Sequence, residues 1–372
     1  MNSVERKILA SAVELNPGQA QQLRLRRTVS DDVDVDQLIH LALKEGLAGL
    51  LYKNLMKAGV LEALDLQQKE RLKSLYYTTV QFNLKLVHDL KEVLELLNEN
   101  RIPVVLLQGI SLLPQIYEDI GLRPLTDIDL WVLDKVYPGL VDVLMSQGYQ
   151  RDSLYPNTLR KGSTIFDIRT HLLWADRIRS RRLLMTKGQE HIYRDTQSTL
   201  FEGQKALSLN RYDQVLYLGL HALKHSASRL IWLVDINNLI FDWRGSDWEA
   251  LINRAQELGQ KKTIAYICFL LQRLFDFNVL PEARRLLEKE RLSLLEKAVL
   301  RQRVKGDSLP VWAPVILLSS GNTLAKRASF FMENLFPAPE ILKQVFPGSA
   351  NSKVWQLYLK RVLQLIGMIK MP

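Results

Sequence analysis

Asp127 and Asp129 stand two residues apart in the run LQGISLLPQIYEDIGLRPLTDIDLWV, residues 107–132. On a β-strand that spacing projects both carboxylates from one face. Two like charges on one face repel unless a cation comes between them. The pattern predicts a site for magnesium, which takes oxygen ligands and usually only one or two protein carboxylates, with phosphate and water completing the shell. Ile128, Leu130 and Val132 would hold the opposite face against a core. A third carboxylate commonly serves a second ion in phosphoryl transfer. Asp167, in TIFDIRTHLL, is the candidate, with Arg169 and His171 on its face by period two. The expected cofactor is therefore two magnesium ions held by Asp127, Asp129 and Asp167. A lone D-x-D can equally be a solvated strand edge, so the surrounding elements decide.

Those elements read as follows. Residues 104–107 are a short apolar run followed by Gln108-Gly109, which predicts a buried strand ending in a tight turn. Ser111 is a candidate helix N-cap for a short helix over 112–117. Glycine permits close backbone approach, and a helix N-terminus favours anions. Gly109 and Ser111 are thus expected to cradle a triphosphate, and Arg123 to offer its planar fork to a phosphate oxygen. Residues 127–132 form a second strand, 138–147 a helix with Pro138 in its first turn, and 163–172 a third strand. Residues 1–100 read as helical, with a long stretch over 67–98 that contains no Gly or Pro and ends at Pro103. From about residue 177 the chain reads as helical again, most clearly over 213–227, 229–243, 248–258 and 263–277. The expected fold class is α+β: a helical N-terminal segment (1–100), a small mixed β-sheet core (101–200) and a helical C-terminal domain (201–372).

His221, Lys224, His225, Ser228, Arg229, Trp232 and Asp235 advance by three or four residues, which makes one helical face if no kink intervenes at 226–228. Such a basic stripe facing the acidic site would bind nucleotide phosphates or position an acceptor. The same residues would also serve as buried packing, with Asp235 paired to Arg229 or His225. A zinc site from His-x-x-x-His has no evident third ligand.

Together these residues resemble the bacterial "uncharacterised nucleotidyltransferase" family of the polymerase-β-like superfamily. The resemblance rests on Gly109, Tyr117, Arg123, Asp127-Ile128-Asp129-Leu130, Gly148-Tyr149 and a helical box of His221, Lys224, His225, Arg229, Trp232 and Asp235. It covers about residues 70 to 245. It implies a nucleotidyltransferase core that moves a nucleoside monophosphate from a triphosphate to an acceptor hydroxyl or phosphate and releases pyrophosphate. Asp127 and Asp129 would hold the metals, and Asp167 would bind the second ion and help deprotonate the acceptor. Two departures stand out. Gln108 replaces the lysine that usually precedes the glycine. The third-strand motif, an acidic residue two before a histidine, fits in two registers. One takes Asp167 as the acid and puts Arg169 at the histidine position; the other takes His171 as the histidine and puts Arg169 at the acidic position. The second register leaves no third carboxylate. Rival readings are a non-catalytic member that binds a nucleotide or a protein, and a toxin-like enzyme that modifies transfer RNA.

The bulk composition agrees with a globular chain: 372 residues, 47% hydrophobic and 24% charged. The net charge of +10 suits an anionic partner such as nucleotide phosphate, nucleic acid or a membrane surface, or simply solubility. One cysteine, Cys268, excludes a disulfide scaffold. The start MNSVERKILA has charges where a signal peptide needs an apolar run, so a cytoplasmic protein is expected. No run of about 18 apolar residues predicts a membrane span. No G-x-S-x-G elbow, Walker A pattern or Rossmann glycine fingerprint is present. Arg177, Arg179, Arg181, Arg182 and Lys187 form a basic patch, expected to guide a polyanion or to be a solvated helix face. Residues 353–370, which begin at Lys353 and end at Lys370, read as a basic amphipathic helix for core packing, a protein partner or a membrane surface.

Overall fold

The computed structural model describes residues 4–15, 17–29, 33–172, 185–275, 281–288, 290–307, 309–310, 312–319, 323–346 and 352–366. Helices α1 (Val4–Ser11), α2 (Gln19–Thr28), α3 (Val35–Glu45), α4 (Ala48–Lys57) and α5 (Leu66–Glu99) lead into a mixed sheet. The Asp65 carboxylate caps α5 by accepting from the Gln68 amide at 2.8 Å. Its buried positions Leu72, Tyr76, Asn83, Leu86, Leu90, Val93 and Leu97 recur mostly at three- and four-residue intervals, which presents one stripe to the core.

The sheet contains β1 (Val105–Leu107), β2 (Ile128–Trp131), β3 (Gln150–Arg151), β4 (Thr158–Lys161), β5 (Thr164–Arg169), β6 (Gln197–Phe201) and β7 (Gln204–Ser208). The strand order is β3-β4-β5-β2-β1-β7-β6. β1 runs antiparallel to β2 and parallel to β7, while β2 runs parallel to β5. The central strands β1 and β2 are buried along their whole length. Helices α6 (Gln108–Ile116), α7 (Tyr137–Ser146) and α8 (Gln189–Arg194) connect or flank them. After the sheet come α9 (Arg211–Lys224), α10 (Ile231–Leu239), α11 (Gly245–Glu257), α12 (Lys261–Leu274), α13 (Pro281–Glu288), α14 (Leu294–Lys305), α15 (Ala313–Ser319), α16 (Leu324–Leu335), α17 (Pro339–Val345) and α18 (Val354–Leu365). The protein is α+β, with the mixed sheet set among helices. One continuous apolar core includes Ile8, Leu106, Leu220 and Phe330. A separate small cluster of Leu342, Phe346 and Leu357 joins α17 to α18.

Two expectations need correction here. The chain does not return directly to helix after the third strand, because β6 and β7 form a hairpin that pairs with β1. The hairpin turns at Glu202 and Gly203, both with positive φ (48° and 82°), the combination that matches strand twist in a two-residue turn. Its strands, QSTLF and QKALS, are short and largely polar because β6 is an edge strand. The stripe from His221 to Asp235 is also not one helical face. Ser226 and Ala227 take positive φ values of 58° and 45° and separate α9 from α10.

Arg177, Arg179, Arg181 and Arg182 of the basic patch lie outside the described residues, and Lys187 is ion-paired with Glu257. Cys268 is buried, and burial pushes its thiol up to about 12. No helix among the described residues is long and apolar enough to cross a membrane.

Candidate active site

Asp127 immediately precedes β2, and Asp129 lies within it. Ile128, Leu130 and Val132 on the other face are fully buried, so the strand is anchored from behind and its acids are held in place. Asp129 pairs in register with Leu107 on one side and Asp167 on the other. That register sets Asp167 level with Asp129. Asp127, Asp129 and Asp167 line one cleft of about 380 Å³.

Arg169 stands among these acids. Its Nη2 donates to Asp129 Oδ1 and, at 3.1 Å, to Asp167 Oδ2. Burial alone would lower the guanidinium, but Tyr217, Asp129, Asp167 and Asp127 outweigh it and hold the proton more tightly than in ordinary arginine. Three carboxylates share this one charge, so repulsion is left over. Burial, reinforced by the Asp167 charge, raises Asp127 above the usual carboxylate range. Burial, with Asp127 and Asp167 nearby, holds Asp129 well above it despite Arg169. The Arg169 Nε is buried without a partner.

The turn after β1 carries real backbone strain. Gln108 has φ 52°, a region that L side chains rarely adopt. Its side-chain amide donates to the Tyr217 hydroxyl at 3.3 Å. At Gly109, an added Cβ would stand 2.1 Å from Arg123 Nη1 and 2.5 Å from Leu125 Cδ2. Glycine is therefore required by the side chains already packed over it. Ser111 is not the N-cap, because α6 begins three residues earlier. Its hydroxyl donates back to the Gln108 carbonyl at 2.8 Å, and it does not line the cleft.

Arg123 lines the cleft but is engaged from behind. Its Nη2 pairs with Asp235 Oδ2 at 2.9 Å, and Tyr117 donates to the other oxygen of the same carboxylate at 2.6 Å. Asp235 thus pairs with Arg123, not with Arg229 or His225 as expected. The strand-to-strand loop and α10 are locked together by this buried ion pair.

The cleft is also lined by basic side chains. His221, Lys224 and His225 come from the end of α9, and Arg229 and Trp232 from beyond the break. The break is what gathers them. It is clamped from two sides: Glu45 Oε2 accepts from the Leu230 amide at 2.8 Å and from Arg303 Nη2 at 2.6 Å, and Arg303 Nε donates to the Ala227 carbonyl at 2.6 Å. Gly46, in the left-handed conformation at the end of α3, leaves room for Arg229. A Cβ there would lie 2.8 Å from Arg229 Nη2. His221 packs edge-on against Trp232, with ring centroids 5.1 Å apart. Burial, then the charges of His225, Arg169, Lys224 and Arg123, hold its imidazole well below the usual value. The neutral form is favoured, and its Nδ1 is buried without a partner.

Tyr155, Asn157 and Thr158, from the β3–β4 connection and β4, complete one side, while Ile341 and Gln344 of α17 close another. None of these five was singled out from sequence, because their positions carry no charge pattern or motif. Among the described residues, no group of three or more His, Cys, Asp and Glu side chains is arranged to hold a metal. The Asp127–Asp129 pair alone still suits magnesium, which normally takes one or two carboxylates and completes its shell with phosphate and water. Asp167 would serve a second ion only by giving up its bond to Arg169.

The cleft thus has an acidic wall built on β2 and β5 and a basic wall built on the α9–α10 break, a pairing suited to a polyphosphate bound with a cation. No curated protein and no solved structure matches the chain. The family described as "uncharacterised nucleotidyltransferase" matches residues 31–276, which include every charged side chain that lines the cleft. With more than half of its length matched, the chain belongs to the uncharacterised nucleotidyltransferase family.

Proposed function

We propose that the protein transfers a nucleoside monophosphate from a nucleoside triphosphate to an acceptor hydroxyl or phosphate, with magnesium as the cofactor. The observation that carries this reading is that Asp127, Asp129 and Asp167 line one cleft together with Lys224 and Arg229. Asp127 and Asp129 are the residues that would hold the ion. Bound there, it supplies charge neutralisation for the phosphoryl oxygens. The acceptor oxygen forms a bond to the α-phosphorus while the bond to pyrophosphate breaks. Asp167, level with Asp129, would take the acceptor proton. Lys224 and Arg229 bind and orient the phosphates, and Arg169 adds a fixed positive charge beside the acids. Positioning and electrostatics supply most of the rate in such transfers.

The test is incubation with each α-labelled nucleoside triphosphate, magnesium and cell extract. Label should move to an acceptor with wild type and not with Asp127→Ala/Asp129→Ala. A binding-only reading draws on Gln108 and on the hold that Arg169 has on Asp129 and Asp167. It expects magnesium-dependent nucleotide binding with no label transfer from either protein.

Replacing Lys224 or Arg229 with methionine should raise the KM for the nucleotide about tenfold or more while lowering kcat less, because phosphate contacts made in both ground and transition states act on binding. Steady-state kinetics over a range of triphosphate concentrations would reveal the split. A fall in kcat at constant KM would instead place these residues at the reacting phosphorus.

The raised carboxyls give a pH prediction. A group whose folded pKa lies above its unfolded value contributes stability that is present below the unfolded value and is lost as pH rises through the folded one. Asp127 and Asp129 are both raised. Without a divalent ion, these two acids therefore favour folding below the ordinary carboxylate range and oppose it once pH has risen through their raised values. Magnesium should offset the neutral-pH cost by binding the ionised pair. The thermal midpoint of wild type at neutral pH should rise with magnesium, and that of Asp127→Asn/Asp129→Asn should not.

A further inference from the structure

We propose that the outer face of α18, together with the end of α16, docks on a membrane surface of anionic phospholipid. The inference is independent of the transferase reading.

The outer face of α18 is apolar, unlike that of an ordinary surface helix. Leu357 and Gln364 face inward and are fully buried. The exposed side chains described on the helix are Val354, Trp355, Leu359 and Val362, and Ile366 continues the same face. Trp355 and Ile366 are each 62% exposed. Apolar area left in water on this scale is costly unless something covers it. The face extends onto α16, where Phe331 and Met332 are exposed, and onto the exposed Phe336 just beyond it. The two are physically continuous: Phe336 packs on Tyr358 with ring centroids 6.0 Å apart, Tyr358 donates to the Pro337 carbonyl at 2.9 Å, and Arg361 donates to the Asn334 carbonyl at 3.0 Å.

Charge selects the occupant. From residue 324 to residue 366 the chain has six basic residues, Lys326, Arg327, Lys343, Lys353, Lys360 and Arg361, against two acidic ones, Glu333 and Glu340. A contact between two copies of such a surface would bring like charges together. An anionic lipid surface complements them, attracts basic residues next to the bilayer, and accommodates tryptophan at the headgroup level. A helix with an apolar outer face and basic flanks lies in that interface without crossing it. The inner side of the same unit reaches the cleft, where α17 contributes Ile341 and Gln344. The docking surface and the cleft are therefore joined through one small pair of helices.

The experiment is flotation of the full chain with phosphatidylcholine vesicles that contain or lack phosphatidylglycerol. Binding should be at least about tenfold stronger with phosphatidylglycerol and should weaken with salt. Trp355→Ser/Leu359→Ser should reduce binding to the anionic vesicles by about tenfold or more. Lys353→Gln and Lys360→Gln should each reduce it about fivefold. Because Trp355 and Leu359 are exposed, their variant should unfold at the wild-type denaturant midpoint. Absence of binding to phosphatidylglycerol vesicles by wild type would overturn the proposal without needing any variant. So would equal binding to both vesicle types, or lipid-free self-association that Trp355→Ser/Leu359→Ser abolishes, which would assign the face to a second copy.

Discussion

Asp127→Asn/Asp129→Asn should lower nucleotidyl transfer by on the order of 10²–10³-fold or to background, the scale seen when one preorganised electrostatic element is removed from an active site. Asparagine keeps the shape of each side chain, removes the charge and replaces one acceptor oxygen with an amide donor. In the single variant Asp129→Asn, Arg169 loses one anionic partner but keeps Asp167, whose Oδ2 it reaches at 3.1 Å. That variant should remain folded, whereas alanine at 129 would leave more of a buried cation uncovered. Transfer of α-label at saturating triphosphate, normalised to folded protein by circular dichroism, is the measurement. Near-wild-type transfer by a folded double variant would falsify the assignment of these acids to the reaction.

The largest loss of stability is expected at Glu45 and Arg303, far from the acids in sequence. Their side chains are only 10% and 6% exposed. Besides binding each other, they satisfy the Leu230 amide and the Ala227 carbonyl at the α9–α10 break. Removing one partner leaves a buried charge and an unpaired backbone group, which typically costs about 3–5 kcal/mol. Glu45→Ala and Arg303→Met should each destabilise on that scale in urea unfolding. Glu45→Met/Arg303→Met should cost less than the sum, since no charge then remains uncompensated. In the folded fraction of the double variant, the KM for the nucleotide should still rise, because the break that presents Arg229 to the cleft has lost its clamp. Additivity of the two single effects within about 0.5 kcal/mol would show that they do not act as a unit.

Much of the local architecture was legible. Period-two alternation placed Asp129 on a strand with Leu130 behind it, Gly109 marked the turn after the strand before it, and Pro138 marked the start of the helix after it. The long α5 followed from a stretch without Gly or Pro. The β6–β7 hairpin was missed because neither QSTLF nor QKALS carries an apolar run, although the Glu202-Gly203 pair was a usable turn signal. A kink at 226–228 was allowed for in the sequence, but neither Ser226 nor Ala227 is glycine or proline, so no local signal required the break. Their positive φ is held by partners from α3 and α14 that lie distant in sequence. Arg169 presented a similar difficulty: its period-two place beside Asp167 was legible, but its reach across to Asp129 depends on which strands are neighbours.

Taken alone, the order of residues determined the chemistry on offer: paired acids on a strand, a glycine turn and a set of basic side chains spaced like a helix. Those follow from intervals of two to four residues, over which backbone geometry alone dictates direction. Only the tertiary structure decided that Arg123 is tied to Asp235, that the basic wall is assembled by a break in the helix, and that α17 reaches the cleft. Each of these joins residues separated by tens to hundreds of positions, where packing and buried charge pairing, not local periodicity, select the partner.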